Sequence, residues 1–501
     1  MAAADIPRVT TLADLLQGFA DAPAVPVQGI ASDSRRVREG FLFLAVQGLT
    51  SHGLDYLDEA QRAGASAVAW DASTGTEPTA AGLPLVPVHG LAEKLGEIAN
   101  RFYGFPSAKL EVIGTTGTNG KTTVAWMIAQ AAAYFGDSCA YLGTLGHGVD
   151  EIGAADAMTM TTPPAVELHE HLAEFVARGA TLASIEVSSH ALSQRRVDGV
   201  NFDTALFTNI SRDHLDYHAG MGEYFASKAR LFLDCAPRHR IVNVDSEEGE
   251  RLASLCGPDV VIVATDVERV TDRRPFLFVR EVDIKGDGAE VAFASSWGDG
   301  RFTLHMPGDF NVANAAAVLA LLLMKGAPLA QACDVMSELQ APPGRMQRVA
   351  RDGPAVYIDY AHTPSALEGA LRALQPHCRG ALWCVFGCGG DRDRGKRPQM
   401  GEAAERHGDH IVLTTDNPRT EHPVRIIEDV LAGFSHPAEA IVIEDRAAAI
   451  AWTVEQAAVD DVVLIAGKGH ENYQEVDGER LAISDISLAA KALAARERAP
   501  C

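Results

Sequence analysis

An apolar run at 110–113 leads directly into Gly114-Thr115-Thr116-Gly117-Thr118-Asn119-Gly120-Lys121-Thr122-Thr123, and an amphipathic helix-forming segment follows at 124–135. Strand, glycine-rich turn and helix in that order belong to a parallel α/β sheet, because parallel strands need a crossover between them. Glycines let backbone N–H groups point at phosphate oxygens, and the helix N-terminus adds partial positive charge. Gly117, Thr118, Asn119 and Gly120 would cradle the phosphates of ATP. Lys121 would neutralise the β- and γ-phosphates, and a hydroxyl of Thr122 or Thr123 would reach Mg²⁺. The run departs from strict G-x-x-x-x-G-K-[ST] spacing, since position 115 is threonine and the glycines stand at 114 and 117. A glycine-rich turn that binds nothing is the bland alternative. The loop alone does not say whether ATP would drive a motor, a switch or a synthesis.

One such unit does not account for 501 residues. At roughly one domain per 150 residues, about three are expected. The boundaries read at 1–105, 106–341 and 342–501, the second block ending near the breaker cluster Ala341-Pro342-Pro343-Gly344. The third block alternates apolar runs at 355–358, 381–386, 410–413, 441–443 and 462–466 with helix-length segments. That pattern predicts a doubly wound, mostly parallel sheet with ligands beyond the C-terminal strand ends.

Composition limits the partners. A net charge of −24 makes the chain a poor general binder of nucleic acid or anionic membrane. Any anionic ligand must be held by local clusters of donors. The longest apolar stretch, 315–324, falls far short of the roughly 20 residues that span a bilayer. Residues 1–14 lack a charged-then-apolar signal pattern. Eight cysteines without paired spacing do not suggest a disulfide framework, and Cys384 and Cys388 read as buried thiols. A cytoplasmic address and a monomer are the expectations.

Further chemistry-bearing residues follow apolar runs. They include Ile185-Glu186-Val187-Ser188-Ser189-His190, then Thr208-Asn209-Ile210-Ser211-Arg212-Asp213-His214, and Lys228 on a helix-like segment. Taken singly, Glu186 could be a strand-end surface acid, His214 a satisfied loop histidine and Lys228 a solvated lysine. Thr161-Thr162-Pro163 could be a helix cap. The third block adds Gly387-Cys388-Gly389-Gly390-Asp391-Arg392, Thr415-Asp416-Asn417-Pro418-Arg419 and Gly467-Lys468-Gly469-His470-Glu471, each directly after a predicted strand.

Gly-Thr-Asn-Gly-Lys-Thr at 117–122 resembles the ATP loop of the Mur ligases and their folylpolyglutamate synthase relatives, and the other motifs are similar to that family from about Ser32 to Glu471. The resemblance implies three domains: an N-terminal mixed α/β nucleotide-sugar domain, a central P-loop-type parallel-sheet ATPase domain and a C-terminal Rossmann-like domain. It implies that Glu186 and His214 bind Mg²⁺ with Thr122, and that Lys228 is carbamylated and holds a second ion. Asn311, Asn314, Arg345 and Asp359 would lie along ATP, the two asparagines sharing one helix face. Ser32 and Ser34 would meet the uridine nucleotide. Thr161, Thr162, Ser188, Gln194 and Arg196 would meet the muramoyl dipeptide.

In the family, Asp-Asn-Pro-Arg marks addition of meso-2,6-diaminopimelate over lysine. A guanidinium grips the extra carboxylate through two parallel N–H bonds. By resemblance, Arg392, Asp416, Asn417, Pro418, Arg419, Gly467 and Glu471 would hold this amino acid. The implied activity is ATP-driven amide formation onto UDP-N-acetylmuramoyl-L-alanyl-D-glutamate through an acyl phosphate. The alternatives are a lysine-adding ligase or folylpolyglutamate synthase on the same fold, and, from another class, a P-loop ATPase switch or a non-catalytic ATP-binding scaffold.

Overall fold

The apolar run before the glycine-rich turn becomes the strand Glu111–Thr116, parallel to Leu182–Glu186 on one side and Thr204–Phe207 on the other. The computed structural model describes residues 10–48, 51–75, 78, 82–150, 160–215, 217–265, 275–286, 288–349 and 353–498. Two units divide the chain: Met1–Val263 with Thr271–Pro275, and Ala264–Val270 with Phe276–Cys501.

In the first unit, the strands Gly29–Ala31, Phe41–Ala45, Ala67–Asp71 and Leu85–Val88 lie side by side in chain order, all parallel. Leu42 and Leu44 face one apolar cluster with Leu15, Ile98 and Val86, whereas Phe43 and Ala45 face another with Leu57 and Trp70. Burial of both faces explains why Phe41–Ala45 carries no polar residue. The central sheet within this unit runs Val261–Ala264, His239–Asn243, Thr204–Phe207, Glu111–Thr116, Leu182–Glu186, Cys139–Gly143 and Gly146–Val149. Only the last pairing is antiparallel. Chain order jumps on either side of Glu111–Thr116, so this strand lies where the sheet's winding switches and where ligands collect.

In the second unit, Phe276–Lys285, Gly288–Ser295 and Gly300–Leu304 form an antiparallel meander. The helix Asp309–Met324 follows, and the apolar stretch 315–324 is its buried C-terminal part. No helix among the described residues is long and apolar enough to cross a membrane. Beyond it, the five apolar runs become Ala355–Asp359, Leu382–Phe386, His410–Leu413, Ile441–Val442 and Val462–Ala466. They pair in parallel, with Val462–Ala466 inserted between the first two. The short strand Gln347–Arg348 adds an antiparallel edge. Cys384 and Cys388 are buried free thiols.

Candidate functional site

The phosphate loop is held from behind. Gly120, at φ 86°, precedes the helix Lys121–Tyr134, so Lys121, Thr122 and Thr123 form its first turn. The helix thus starts before position 124, because a glycine with positive φ turns the chain straight into it. A Cβ on Gly117 would lie 1.9 Å from Thr208 Oγ1, so only glycine lets the segment after Thr204–Phe207 come this close. That segment straps the loop. Thr118 N donates to Asn209 O at 2.9 Å, Asn119 N donates to Asn209 Oδ1 at 3.0 Å, and Thr208 Oγ1 donates to Asn119 O at 2.6 Å. The acceptors of these two N–H groups in this structure are protein oxygens. The Thr118 hydroxyl lies 3.0 Å from that of Tyr224.

Glu186 ends its strand fully buried. Thr122 Oγ1 donates to its Oε2 at 2.9 Å and Thr144 Oγ1 donates to the same oxygen at 3.1 Å. Tyr141 Oη and Thr144 N donate to Oε1 at 2.5 and 2.9 Å. The surface-acid reading of Glu186 is excluded: this carboxylate is surrounded by neutral donors and joined to the loop threonine. Gly143 leaves the room, since a Cβ there would meet Glu186 Oε1 at 2.2 Å.

Lys228, on the helix Met221–Leu233, is 1% exposed and not solvated. Its Nζ donates to Gly117 O at 2.8 Å and sits 4.4 Å from the centre of the Tyr224 ring. Lys121 Nζ donates to the same Gly117 carbonyl at 2.8 Å, and to Thr118 O at 2.8 Å. Burial, then the positive charge of Lys121, hold the Lys228 pKa well below the usual lysine value, with Asp213 opposing. His214, at φ 53°, stands edge-on to His190 with ring centres 4.8 Å apart, and 6.2 Å from Tyr224. Its Nε2 is 3.5 Å from Asp213 Oδ2.

The residues assigned to the dipeptide gather at the same strand end. Thr162 Oγ1 donates to Glu186 O at 2.7 Å and accepts from Ser188 N at 3.1 Å. Arg196 Nη1 donates to Thr162 O at 2.7 Å and its Nη2 to Gln194 Oε1 at 2.6 Å, while Gln194 Nε2 reaches the Tyr217 hydroxyl at 3.1 Å. Thr144 Oγ1 links to Thr161 Oγ1 at 3.3 Å. The helix Ala165–Ala177 is entered through Pro164 without a side-chain cap, so the threonine pair is no helix cap. Ser32 follows the strand Gly29–Ala31, and Ser34 is buried with its hydroxyl donating to Glu59 Oε2 at 2.9 Å.

In the second unit, Asn311 and Asn314 are buried on one helix face, with Asn314 Nδ2 3.5 Å from Asn311 Oδ1. Asp359 accepts from Met346 N at 2.7 Å and Ala361 N at 2.9 Å, and burial raises its pKa against the pull of Arg345. The Arg345 guanidinium covers the Tyr360 ring at 4.3 Å.

A polar web joins the other three loops. Asn417 Nδ2 donates to Glu471 Oε2 at 3.0 Å, and Asn417 Oδ1 accepts from Lys468 Nζ at 2.9 Å and Glu475 N at 3.0 Å. Lys468, fully buried, also reaches Glu471 Oε2 at 2.9 Å. Arg419 Nε donates to Glu475 Oε2 at 3.1 Å and its Nη1 to Gly390 O at 2.7 Å. A Cβ on Gly389 would lie 3.1 Å from Arg419 Nη1 and 3.7 Å from Arg392 Cγ, so this bare glycine lets two guanidinium stems approach. Gly467 abuts Asp416 Oδ2, and Gly390 abuts the Pro418 carbonyl. Six of the seven residues assigned to the amino acid thus lie together beyond the strand ends, with the Arg392 stem beside Gly389. Sequence reasoning missed Tyr141, Thr144, Tyr360 and Glu475 as members of these clusters.

A strapped phosphate loop at the switch of a parallel sheet, its threonine bonded to a buried carboxylate, defines a nucleotide-binding α/β protein of the P-loop class. Three family models match in succession: "Mur ligase family, catalytic domain" at 26–103, "Mur ligase middle domain" at 115–322, and "Mur ligase, glutamate ligase domain" at 344–469. Curated relatives named UDP-N-acetylmuramoyl-L-alanyl-D-glutamate--2,6-diaminopimelate ligase are similar along nearly the whole chain. The Coxiella burnetii protein is 45% identical over 94% of this chain and 96% of its own. The Pseudomonas aeruginosa protein is also 45% identical, with the same coverage. A solved structure of the ligase of that name superposes with a TM-score of 0.71 at 32% identity, covering 98% of this chain and 100% of its own. The chain belongs to the Mur ligase family.

Proposed function

We infer that the chain is an ATP-dependent acid–amino-acid ligase that adds meso-2,6-diaminopimelate to the D-glutamate of UDP-N-acetylmuramoyl-L-alanyl-D-glutamate, a step of peptidoglycan precursor synthesis. The observation that carries this is the 45% identity along nearly the full chain to relatives of that name. Arg419 in its Asp416-Asn417-Pro418-Arg419 setting supports the choice of diaminopimelate over lysine. The three-domain division at 105 and 341, a monomeric working form and a cytoplasmic setting belong to the same reading.

The γ-carboxylate of the dipeptide attacks the γ-phosphorus of ATP, the bond to ADP breaks, and an acyl phosphate forms. The amine of diaminopimelate then attacks the acyl carbon, and phosphate departs as the amide forms. Lys121 and the helix N-terminus bind the phosphate oxygens. Arg196 and the Thr161–Ser188 web hold the dipeptide beside Glu186. Arg419 and Arg392 hold carboxylates of the incoming amino acid. Glu471, with the Gly467 carbonyl, holds its distal ammonium.

The oxygens of Thr122 and Glu186, 2.9 Å apart at the helix N-terminus, are the hard donors that Mg²⁺ takes. Thr122, Glu186 and His214 would hold Mg²⁺, and Lys228 as a carbamate would hold a second ion. Bound Mg²⁺ neutralises charge on phosphoryl oxygens. Carbamylation needs a neutral amine, and the depressed Lys228 pKa supports one. The amine attacks CO₂, an N–C bond forms and a proton leaves for solvent.

Phosphate release in the presence of the UDP-muramoyl dipeptide, compared for meso-diaminopimelate, L-lysine and no acceptor, tests the reading. Release that requires dipeptide and is fastest with diaminopimelate supports it. Equal kcat/KM for the two amino acids overturns the diaminopimelate assignment. Hydrolysis that ignores both substrates favours an ATPase switch.

A further inference from the structure

We propose that His147, His171 and Glu174 form a binding site for one divalent transition-metal ion of the Zn²⁺ class, separate in chemistry from the oxygen donors that face ATP. His147 lies on the edge strand Gly146–Val149. His171 and Glu174 lie three apart on the helix Ala165–Ala177 and so share a face. One donor atom from each of the three lies within 4.8 Å of the others. The two imidazole rings are 4.2 Å apart at 44°.

The ring nitrogens make the argument. Nδ1 of His147 and Nδ1 of His171 are both buried and have no hydrogen-bond partner among the described residues. A buried polar atom left unpaired is unfavourable. An unpaired buried Nδ1 also occurs at His169, but here two such atoms share one ring pair beside a carboxylate. Packing alone would bury rings without bringing a carboxylate to them, yet Glu174 Oε2 lies 3.9 Å from His171 Nδ1. The other carboxylate oxygen faces Arg178 Nη1 at 3.8 Å, which orients the group and leaves Oε2 toward the imidazoles.

Imidazole and carboxylate donors together select Zn²⁺, Ni²⁺, Co²⁺ or Cu²⁺ over Mg²⁺. Tetrahedral Zn²⁺ at about 2.0–2.1 Å wants its donors roughly 3.3 Å apart. From separations of up to 4.8 Å the set must contract by up to about 1.5 Å, and the Glu174 side chain, 43% exposed, has room to move. Three protein ligands leave a fourth position for water. A bound ion would pin the edge strand to the helix.

Zn²⁺ titration of the full-length protein by calorimetry, with Mg²⁺ in excess to fill hard oxygen sites, tests this. Wild type is expected to take up one Zn²⁺ and to melt several degrees higher with it. His147→Gln and His171→Gln should each weaken binding by at least about tenfold. His171→Phe keeps a ring against Phe175, stays folded and loses the Zn²⁺-dependent rise in Tm. No uptake by wild type at Zn²⁺ on the order of 100 μM overturns the proposal. Uptake unchanged in the folded His171→Phe variant overturns it equally, because the ion then sits elsewhere, for instance at His190, His214 and His218.

Discussion

Lys121 and Lys228 donate to one acceptor: both Nζ atoms lie 2.8 Å from the carbonyl oxygen of Gly117. Two ammonium groups on one neutral oxygen repel, and the buried member yields first. Lys228 is that member. Burial, and then this repulsion, lower the Lys228 pKa.

The free amine of Lys228 should leave a pH signature. Its folded pKa lies well below the ordinary lysine value, while the unfolded chain keeps a normal one. Between those two values the unfolded state binds more protons, so stability rises with pH and is lost as pH falls. Protein prepared without CO₂ should melt at progressively lower temperature from about pH 10 to about pH 8, and Lys228→Met should show a shallower slope. The same variant should lose roughly a hundredfold or more in kcat. ¹³CO₂ should give a carbamate signal in wild type alone. A fully active Lys228→Ala protein with no carbamate signal in wild type would refute the assignment.

Tyr141 should act through Glu186. Its hydroxyl donates to Glu186 Oε1 at 2.5 Å, leaving Oε2 with the loop threonine. Tyr141→Phe keeps the ring and removes this donor. Partners behind a ligand typically matter about 10–100-fold in metal affinity. The Mg²⁺ concentration for half-maximal activity should rise by that factor, with kcat at saturating Mg²⁺ little changed. An equal fall in kcat at every Mg²⁺ concentration would show that the hydroxyl serves something else.

Arg419 should decide between amino acids. Among the described residues its Nε and Nη1 are held by Glu475 and Gly390, and no hydrogen bond occupies Nη2. A preorganised guanidinium loses little freedom when a carboxylate docks. Removing one charged hydrogen bond costs about 1.5–3 kcal/mol, so Arg419→Ala should lose roughly ten- to a hundredfold in kcat/KM for diaminopimelate over lysine. An unchanged ratio of the two kcat/KM values in the variant would count against that role.

The parts legible in sequence were those whose burial imposes a pattern. Strands such as Leu382–Phe386, covered on both faces, read as unbroken apolar runs. The loops after them carried the polar motifs because parallel strands end together at one sheet edge. Tyr141 was illegible, since only the register of Cys139–Gly143 on Leu182–Glu186, Leu142 opposite Ile185, brings its hydroxyl to the carboxylate. Glu475 was different. Asp477 and Gly478 both have positive φ between Tyr473–Val476 and Glu479–Ala482, and Asp-Gly between short strands is a readable hairpin signal. What no pattern disclosed was that the hairpin folds back on Arg419, whose N and O bond to Glu475 and Asp477.

Arg446 and Asp485 should prove the costliest pair to break singly in the second unit. Both side chains are fully buried, joined at 2.7 and 2.8 Å. Arg446 also donates to Thr415 O at 3.3 Å and Ala466 O at 2.9 Å, the residues just before Asp416 and Gly467. Asp485→Ala strands a guanidinium without its counter-charge, which typically costs about 3–5 kcal/mol. Replacing both at once, Arg446→Met with Asp485→Leu, removes the charge and the need for its partner, and such exchanges are often near neutral. Urea denaturation followed by tryptophan fluorescence would compare them. The single variant should also raise KM for the amino acid, because both anchored carbonyls border its loops. If single and double variants lost the same stability, shape at this spot would outweigh the stranded charge.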